Sequence, residues 1–344
     1  MRYRLLGYSG LRVSEICLGT MTFGEDWGWG ASKDEARKMY DAYREAGGNF
    51  LDTANLYTMG TSEKFVGEFM RPHRQEVVLA TKYTNAAPGK DANAGGNQRK
   101  NMVQAIEASL KRLGTDYIDL YWLHIWDQLT PVEEVMRGFD DLVRAGKILY
   151  AGVSDAPAWW IARGNTIAEL RGWTRFVGLQ IEYSLVERTV ERELTPMAKA
   201  LGLTVTAWSP LAGGVLSGKY HSPGQAKDSR FSSDMMKPMQ SSGQRTESIV
   251  AAVKQVSQQL GCSAAQVAIA WLLHRDQPII PIIGTRKISQ LQDNLAALEV
   301  KLSSDQIRLL DEVSAVPLGF PHEFYAVELV RNFAYGGLRD KIIA

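Results

Sequence analysis

The sequence predicts an α/β fold in which eight strand–helix units close into one (β/α)8 barrel. Short runs rich in β-forming residues alternate with longer amphipathic runs, and this alternation occurs eight times along the chain. Glycines such as Gly114, Gly146 and Gly202 stand at helix-to-strand joints, where a left-handed residue ends many helices. An open parallel sheet would show the same alternation, but eight units close naturally into a barrel. We therefore expect one TIM-barrel domain over residues 1–344.

The predicted elements follow one another in a regular order. The strands are short, largely apolar runs at residues 15–19, 49–52, 77–82, 117–124, 148–154, 176–180, 203–208 and 279–283. The helices carry apolar residues at helical spacing, at residues 33–46, 62–70, 100–112, 131–144, 157–170, 190–200, 246–260 with 264–274, and 288–298. The ends of the chain add an N-terminal β-hairpin below the barrel and a C-terminal helical extension. The longest irregular stretch, residues 209–245, has a length that is usual for functional or mobile loops.

Composition excludes several classes of protein. The 344 residues carry a net charge of +1 and are 45% hydrophobic, which allows a large core but gives no basic excess for nucleic acid or a membrane surface. The sequence shows neither the apolar run of a signal peptide nor a membrane span. Cys17 and Cys262 form no Cys-x-x-Cys motif, which suits a reducing compartment. A cytoplasmic protein with a small-molecule substrate is predicted, and a homo-oligomer is left open.

Polar or reactive residues end most of the predicted strands. They are Asp52, Lys82, His124, Ser154, Gln180, Trp208 and Gly284. In a (β/α)8 barrel the active site forms at the C-terminal ends of the strands, so these residues should share one rim. Asp119 and Tyr121 alternate with the residues on the His124 face of their strand, so they should point toward the helices.

Six segments together resemble the aldo-keto reductase superfamily, in its bacterial branch, over about residues 6–298. They are DTANLYTMGTSEKFVG, VLATK, YIDLYWLH, AGVSD, LQIEYSLVER and AWSPLAGGVLSGKY. The resemblance implies reduction of a carbonyl substrate with a nicotinamide dinucleotide. It assigns Tyr57 as the general acid and Lys82 as the neighbour that lowers its pKa. It also assigns Asp52 as the partner of Lys82 and His124 as the residue that orients the carbonyl.

The four residue types suit that chemistry. A carbonyl oxygen that becomes an alkoxide needs a proton, and tyrosine, with an ordinary pKa near about 10, is a weak acid at neutral pH. The cation of Lys82 favours the phenolate and lowers the pKa of Tyr57. Asp52 can hold Lys82 charged and in place. His124 can donate a hydrogen bond to the carbonyl oxygen.

The nicotinamide would be held without a Rossmann fingerprint, because no G-x-G-x-x-G follows a strand. Members of the superfamily hold the dinucleotide extended across the barrel rim. The resemblance implies that Ser154 and Gln180 bind the carboxamide and that Trp208 stacks on the nicotinamide ring. Asp155 stands where the family commonly has asparagine, and an ionised aspartate accepts hydrogen bonds but donates none.

The pyrophosphate is expected at the glycine-rich loop after the seventh strand. This loop nearly spells a P-loop, but Tyr220 stands where Ser or Thr must bind magnesium, which excludes nucleoside triphosphate hydrolysis. By resemblance the loop wraps the pyrophosphate through Ser209, Leu211 and Gly213, and Lys219 is a plausible addition.

The resemblance implies that the adenosine 2′-phosphate binds beside the last helix of the barrel. The corresponding residues are Gly284, Thr285, Arg286, Gln290, Asp293 and Asn294. A helix N-terminus attracts anions, and Arg286 offers a bidentate grip on a phosphate. NADP(H) is therefore expected over NAD(H).

Aromatic and apolar side chains near the rim are expected to form the substrate pocket. They are Met21, Phe23, Trp27, Trp29 and Trp126. Phe320 and Phe324 in the C-terminal tail are expected to form a lid. Such walls favour aromatic or medium-sized aldehydes and ketones.

Two other interpretations compete with a reductase. Some members of the superfamily resemble potassium-channel β subunits, so the chain could be a regulatory module that binds NADP(H). Alternatively, the barrel could run other chemistry, with a Schiff base on Lys82 or with a metal. The carboxylate of Asp52 argues against the Schiff base. A metal site is not expected, because the remaining histidines fall on predicted helices or loops: His73, His221, His274 and His322.

Overall fold

A computed structural model describes residues 1–218 and 243–342. The chain opens with an antiparallel hairpin of β1 (Tyr3–Leu5) and β2 (Arg12–Ser14). Eight parallel strands follow: β3 (Cys17–Gly19), β4 (Phe50–Asp52), β5 (Val78–Tyr83), β6 (Ile118–Leu123), β7 (Ile148–Ser154), β8 (Phe176–Glu182), β9 (Thr204–Trp208) and β10 (Ile279–Ile283). Each strand pairs with the next, and β10 pairs with β3 to close the ring. The predicted (β/α)8 barrel with its N-terminal hairpin is confirmed.

Helices surround the barrel and continue beyond it. They are α1 (Lys33–Glu45), α2 (Thr61–Met70), α3 (Arg99–Leu113), α4 (Val132–Arg144), α5 (Ala158–Arg171), α6 (Leu194–Ala200), α7 (Gln244–Leu260), α8 (Ala264–Leu273), α9 (Ile288–Leu295), α10 (Ser304–Ser314), α11 (His322–Ala326) and α12 (Glu328–Tyr335). The last three form the predicted C-terminal extension. Within the described ranges, no helix is both long enough and apolar enough to cross a membrane.

Several predicted boundaries differ from the structure, most of them by one or two residues, and three of the differences have a clear physical reason. The first barrel strand begins at Cys17 rather than at residue 15, because the Glu15 carboxylate turns away to pair with Arg2 at 2.9 Å. The predicted helix 190–200 becomes a 3-10 turn, Thr189–Glu191, followed by α6. Pro196 lacks an amide hydrogen, so it fits only the first turn of an α-helix. The predicted helix 288–298 is α-helical to Leu295 and then tightens to a 3-10 turn.

The barrel interior is filled by side chains below the rim. The indole of Trp122 lies so close over Gly152 and Gly178 that a Cβ at either glycine would stand 2.3 or 2.8 Å from it. Leu6 and Val13 of the hairpin join the buried cluster around Trp122. The hairpin therefore closes the lower end of the barrel.

Asp119 and Tyr121 point outward from β6, as their alternation predicts. Asp119 pairs with Arg74 at 2.8 Å, and the ring of Tyr121 lies 5.3 Å from that of Tyr83 in the helix-facing layer. The residues of β6 that point inward therefore lead up to His124 at the rim.

Candidate active site

A cleft of about 990 Å³ opens at the C-terminal ends of the barrel strands. The structure brings most of the predicted site residues into its wall: Met21, Trp27, Trp29, Asp52, Tyr57, His124, Ser154, Asp155, Gln180, Trp208, Ser209, Leu211, Gly213, Gly284, Thr285, Arg286, Gln290, Asp293 and Asn294. Lys82 lies fully buried just beneath this wall. Lys219 and His221 fall outside the described residues. Among those described, no cluster of three or more His, Cys, Asp and Glu could hold a metal.

Lys82 connects the acidic and phenolic groups at the floor of the cleft. Its ammonium donates a short hydrogen bond to Asp52 Oδ2 and a further one to the carbonyl oxygen of Thr53 at 2.8 Å. The third donor of the ammonium lies 3.1 Å from the hydroxyl oxygen of Tyr57. A buried lysine with all three hydrogens directed at oxygens is held in one position.

A strained turn places the Tyr57 ring over Lys82. The residues that follow it, Thr58 and Met59, have φ of 45° and 54°, a left-handed conformation that side chains other than glycine rarely adopt. The Thr58 hydroxyl offsets this strain, because it donates to the Phe23 carbonyl at 2.7 Å and accepts from the Ser62 amide at 3.0 Å. Thr58 thus fixes the turn that carries the phenol into the cleft.

The pKa of Tyr57 is raised above its ordinary value. Burial raises it, and the charge of Lys82 lowers it by less. The pKa of Lys82 is also raised, because the attraction of Asp52 and Tyr57 outweighs the opposing effect of burial. Lys82 lowers the pKa of Tyr57, as predicted, but burial has the larger effect. At neutral pH the pair therefore consists of a neutral phenol and an ammonium.

His124 stands beside this pair, with its ring centroid 5.8 Å from that of Tyr57 and nearly perpendicular to it. Burial and the neighbouring Lys82 charge lower the pKa of His124 well below its ordinary value. The imidazole is therefore neutral at neutral pH, with one nitrogen that donates and one that accepts.

The residues predicted for the nicotinamide form one wall of the cleft. The hydroxyl oxygen of Ser154 is buried and makes no well-formed hydrogen bond in the described ranges, although its nearness helps to lower the pKa of Asp155. Gln180 donates to Asp52 Oδ1 at 3.0 Å. The indole nitrogen of Trp208 donates to Asp155 Oδ1 at 3.1 Å, which fixes the plane of the ring. An unsatisfied buried hydroxyl beside a partly exposed indole fits an aromatic ring that carries a polar amide.

Burial raises the pKa of Asp155 from 3.8 to about 6, although the hydrogen bond from Trp208 opposes the rise. Asp155 also has a φ of 45°, a conformation that asparagine and aspartate tolerate better than most residues. The family's asparagine and this chain's aspartate therefore suit the same backbone.

The glycine-rich loop after β9 curls at the cleft edge. Ser209, Gly213 and Gly214 have φ of 50°, 64° and 100°, and a 3-10 turn spans Ala212–Ser217. Backbone in such conformations forms the concave turns that border many anion sites, although the amides of Ala212 and Gly214 donate to the Ser209 and Leu211 carbonyls. This geometry fits a pyrophosphate at the predicted position.

The far end of the cleft is built on α9. The side chain of Gln290 accepts from the Arg286 amide at 3.0 Å, and the carbonyl of Thr285 accepts from the Thr22 hydroxyl at 2.5 Å. Asp293 accepts hydrogen bonds from Ser263 and Gln266 at 2.9 and 2.8 Å, which ties α9 to α8. These bonds hold the segment from Gly284 to Lys287 against the cleft.

The predicted substrate pocket is only partly correct. Trp27 and Trp29 lie in the wall with ring centroids 5.7 Å apart, and Met21 lies beside them. Phe23 is fully buried instead, against the ring of Phe69. The bridge between Phe23 and Ala31 pulls this side chain inward, so the prediction for Phe23 is wrong.

Trp126 and the tail were also misplaced by the sequence-based interpretation. Trp126 does not line the cleft, because its ring packs edge-on against Trp159 at 5.9 Å. Phe320 and Phe324 are 83% and 54% exposed and contact each other rather than the cleft. The tail leaves the barrel beside Arg192, which binds the Pro317 carbonyl, so the expected lid is wrong.

Leu56 and Asn85 are among the lining residues that the sequence-based prediction missed. Leu56 precedes Tyr57, and Asn85 lies three residues beyond Lys82. Their nearness in sequence to the two reactive residues was the only available signal. Asn85 places its amide nitrogen 3.1 Å from Nδ1 of His124.

Comparison with known proteins decides the family. The model of the aldo/keto reductase family matches residues 15–315. The chain belongs to this family. The norsolorinic acid reductase stcV of Emericella nidulans is 39% identical over 93% of this chain and 85% of its own length. An aryl-alcohol dehydrogenase [NADP(+)] of Phanerodontia chrysosporium is 37% identical over 91% of this chain and 86% of its own length. Both relatives carry the names of oxidoreductases, which supports an oxidoreductase that acts on carbonyl groups.

Proposed function

We propose that this aldo/keto reductase reduces an aldehyde or ketone to an alcohol with NADPH, and that Tyr57 donates the proton. The observation that carries the proposal is the 3.1 Å contact between Lys82 Nζ and the Tyr57 hydroxyl at the floor of the cleft, with His124 beside it. When bound, the dinucleotide supplies a hydride to the carbonyl carbon.

Side chains of this protein stabilise and neutralise the negative charge that develops on the carbonyl oxygen. Tyr57 is protonated at neutral pH, so it can donate as the oxygen becomes negative. The phenolate that forms is stabilised by Lys82, whose own charge Asp52 balances. Neutral His124 donates a hydrogen bond to the same oxygen and orients the carbonyl. The buried ammonium thus provides fixed positive charge where negative charge develops.

The preference for NADP(H) is proposed from the residues at the N-terminus of α9. Arg286 lies in the cleft wall just before a helix N-terminus, a combination that suits a monophosphate. Ser154, Gln180 and Trp208, which line the same cleft, would hold the nicotinamide. The printed name of the relative from Phanerodontia chrysosporium, with its NADP(+), supports the same cofactor.

The substrate class proposed is aromatic carbonyl compounds. Trp27 and Trp29 present flat apolar surfaces to the same cleft that Leu56 and Tyr57 line. The relative named as an aryl-alcohol dehydrogenase supports this class.

Replacement of Tyr57 by phenylalanine tests the proton donor. Tyr57→Phe keeps the ring and removes only the hydroxyl, so kcat for reduction should fall by about 10²–10⁴-fold while the dissociation constant of NADPH stays nearly unchanged. Turnover is followed by NADPH absorbance over a panel of aryl aldehydes. Tyr8→Phe is the matched control, because Tyr8 is 81% exposed at the lower end of the barrel.

Turnover by Tyr57→Phe at the wild-type rate would overturn the role of Tyr57. NADPH binding by the wild-type chain without consumption of any carbonyl would instead favour a regulatory module of the potassium-channel β type.

Replacement of Arg286 by alanine tests the cofactor preference. A charged hydrogen bond to a phosphate contributes several-fold more than a neutral one, so Arg286→Ala should weaken NADPH binding by roughly tenfold to hundredfold and NADH binding far less. Fluorescence titration with each cofactor measures both constants. Arg308→Ala, at an exposed arginine of α10, serves as the control. Equal losses for the two cofactors would mean that Arg286 does not bind the 2′-phosphate.

A further inference from the structure

The amide of Asn85 determines which nitrogen of His124 carries the proton. Asn85 Nδ2 lies 3.1 Å from His124 Nδ1. An amide nitrogen donates hydrogen bonds but does not accept them, so Nδ1 must be the acceptor. The single proton of the neutral ring then sits on Nε2, which has no hydrogen-bond partner in residues 1–218 or 243–342.

The tautomer matters because only one of the two neutral forms can donate from Nε2. Burial and the Lys82 charge lower the pKa of His124, so the ring cannot carry protons on both nitrogens at neutral pH. An imidazole with its proton on Nδ1 would present a lone pair to the substrate oxygen and repel it. The side chain that contacts Nδ1 therefore decides whether Nε2, on the cleft side of the ring, carries a proton.

The backbone just after β5 is arranged to present Asn85. Thr84 has a φ of 91°, which is strongly unfavourable for a β-branched residue and persists only where the surroundings enforce it. Its carbonyl accepts from the Gly96 amide at 2.9 Å, and its hydroxyl accepts from Asn97 Nδ2 at 2.9 Å. The Thr84 hydroxyl also accepts from the His124 amide at 3.3 Å. One strained residue thus positions both Asn85 and the backbone of His124.

Asn85 is also tied to the loop that carries the phenol. Its backbone carbonyl oxygen accepts a hydrogen bond from the side-chain amide of Asn55 at 3.0 Å. Asn55 lies two residues before Tyr57, and its own amide donates to the Lys82 carbonyl at 3.1 Å. Asn85 therefore connects the Tyr57 turn to the His124 ring through hydrogen bonds on both sides.

We propose that Asn85 is a positioning residue that holds His124 as the tautomer with its proton on Nε2, so that this N–H is directed at the substrate oxygen. The effect on turnover rests on the proposed carbonyl reduction, whereas the effect on the tautomer does not.

The tautomer can be observed directly by NMR of the protein labelled with ¹⁵N-histidine. In the wild type, Nδ1 of His124 should give the shift of an unprotonated nitrogen and Nε2 that of a protonated one. Asn85→Leu removes the donor at similar volume, so the two shifts should move toward each other as the tautomers mix. A His124→Gln variant identifies the His124 signals, and Asn93→Leu, at an exposed position of the same loop, is the matched control.

A second variant, Asn85→Asp, keeps the test valid if Asn85→Leu fails to fold. Asn85→Asp has nearly the same shape but offers only an acceptor, so it should move protonation onto Nδ1. Retention of the wild-type His124 shifts in both Asn85→Leu and Asn85→Asp would overturn the proposal.

Kinetics supply the functional test. Asn85→Leu should lower kcat for carbonyl reduction by about tenfold with little change in the NADPH dissociation constant, since the hydrogen bond to the oxygen strengthens in the transition state. An unchanged kcat in a variant whose His124 tautomers have mixed would overturn the link to catalysis. A wild type with the expected shifts but no turnover of any carbonyl would instead count against the proposed function and leave the tautomer assignment standing.

Discussion

Burial of Asp155 makes the free energy of unfolding depend on pH. The pKa of its carboxyl is about 6 in the folded chain against 3.8 ordinarily. Between these pH values the folded chain holds a proton that the unfolded chain has released, so the free energy of unfolding falls as the pH rises through this window. Above pH 6 the carboxyl is charged in both states, and the folded chain bears the cost of a partly buried charge.

Asp155→Asn should therefore stabilise the protein at neutral pH. Asparagine can still accept the hydrogen bond from Trp208, and it avoids the buried charge. The gain in the free energy of unfolding should be about 3 kcal/mol at pH 8 and nearly vanish near pH 4. Urea unfolding at both pH values measures it, with Asp116→Asn at an exposed position as the control. A gain of equal size at both pH values would show that the charge is not its cause.

The position of a residue in the site could be predicted from the sequence when the residue lies at the end of a strand. Asp52 and Lys82 each close an apolar run, and barrel geometry converts that position into a place on the rim. Asn85 lies beyond its strand, and its direction depends on the positive φ of Thr84, which no local pattern reveals. Phe23 was misplaced for the same reason, since a loop bridge rather than periodicity turns it inward.

At the scale of elements, close backbone contact fixes how α2 and α3 pack. A Cβ at Gly67 would stand 2.4 Å from the Leu113 carbonyl oxygen, so the two helices approach at a point where only glycine fits. The last turn of α3 then leads through Gly114 into β6, the strand before His124. Packing of these helices therefore supports one wall of the site.

Gly67→Ala should lower the free energy of unfolding by roughly 1–3 kcal/mol, because the added methyl group meets rigid backbone. Thermal or urea unfolding checks this, and Gly10→Ala is the matched control since a Cβ there meets nothing within 4 Å. A Gly67→Ala variant as stable as the wild type would mean that the helices can separate without cost.

Strands and helices with a clear hydrophobic periodicity were predicted well. The residues at which they begin and end were predicted less accurately. The strands β7 and β10 have the predicted bounds, because apolar runs that end in turn residues leave little choice. The 3-10 turns around α6 and after α9 depend on single residues such as Pro196 and on packing against neighbours. Helical periodicity alone does not distinguish these turns from α-helix.

At the scale of the whole molecule, the C-terminal extension divides into two parts of different character. α10 packs on α7, and its Asp311 accepts from the Trp271 indole at 2.9 Å and from Arg275 at 2.7 Å. Beyond it, none of the described residues from 319 to 342 is buried. A few surface contacts set the path of such a tail. Sequence patterns therefore predicted that the tail is helical, but not where it lies on the barrel surface.

Removal of residues 319–344 should therefore leave the barrel and its site nearly unchanged. The segment has no described residue in the cleft wall and buries little surface, so the melting temperature should fall by less than roughly 3 °C and KM for an aryl aldehyde should stay within about twofold. Calorimetry and NADPH-linked kinetics measure the two quantities. Removal from residue 304 onward provides the contrast, because it strips α10 from α7 and leaves the Trp271 indole N–H without its partner, and it should destabilise the barrel severely. A large rise in KM for the shorter deletion would restore the lid that the exposed rings of Phe320 and Phe324 argue against.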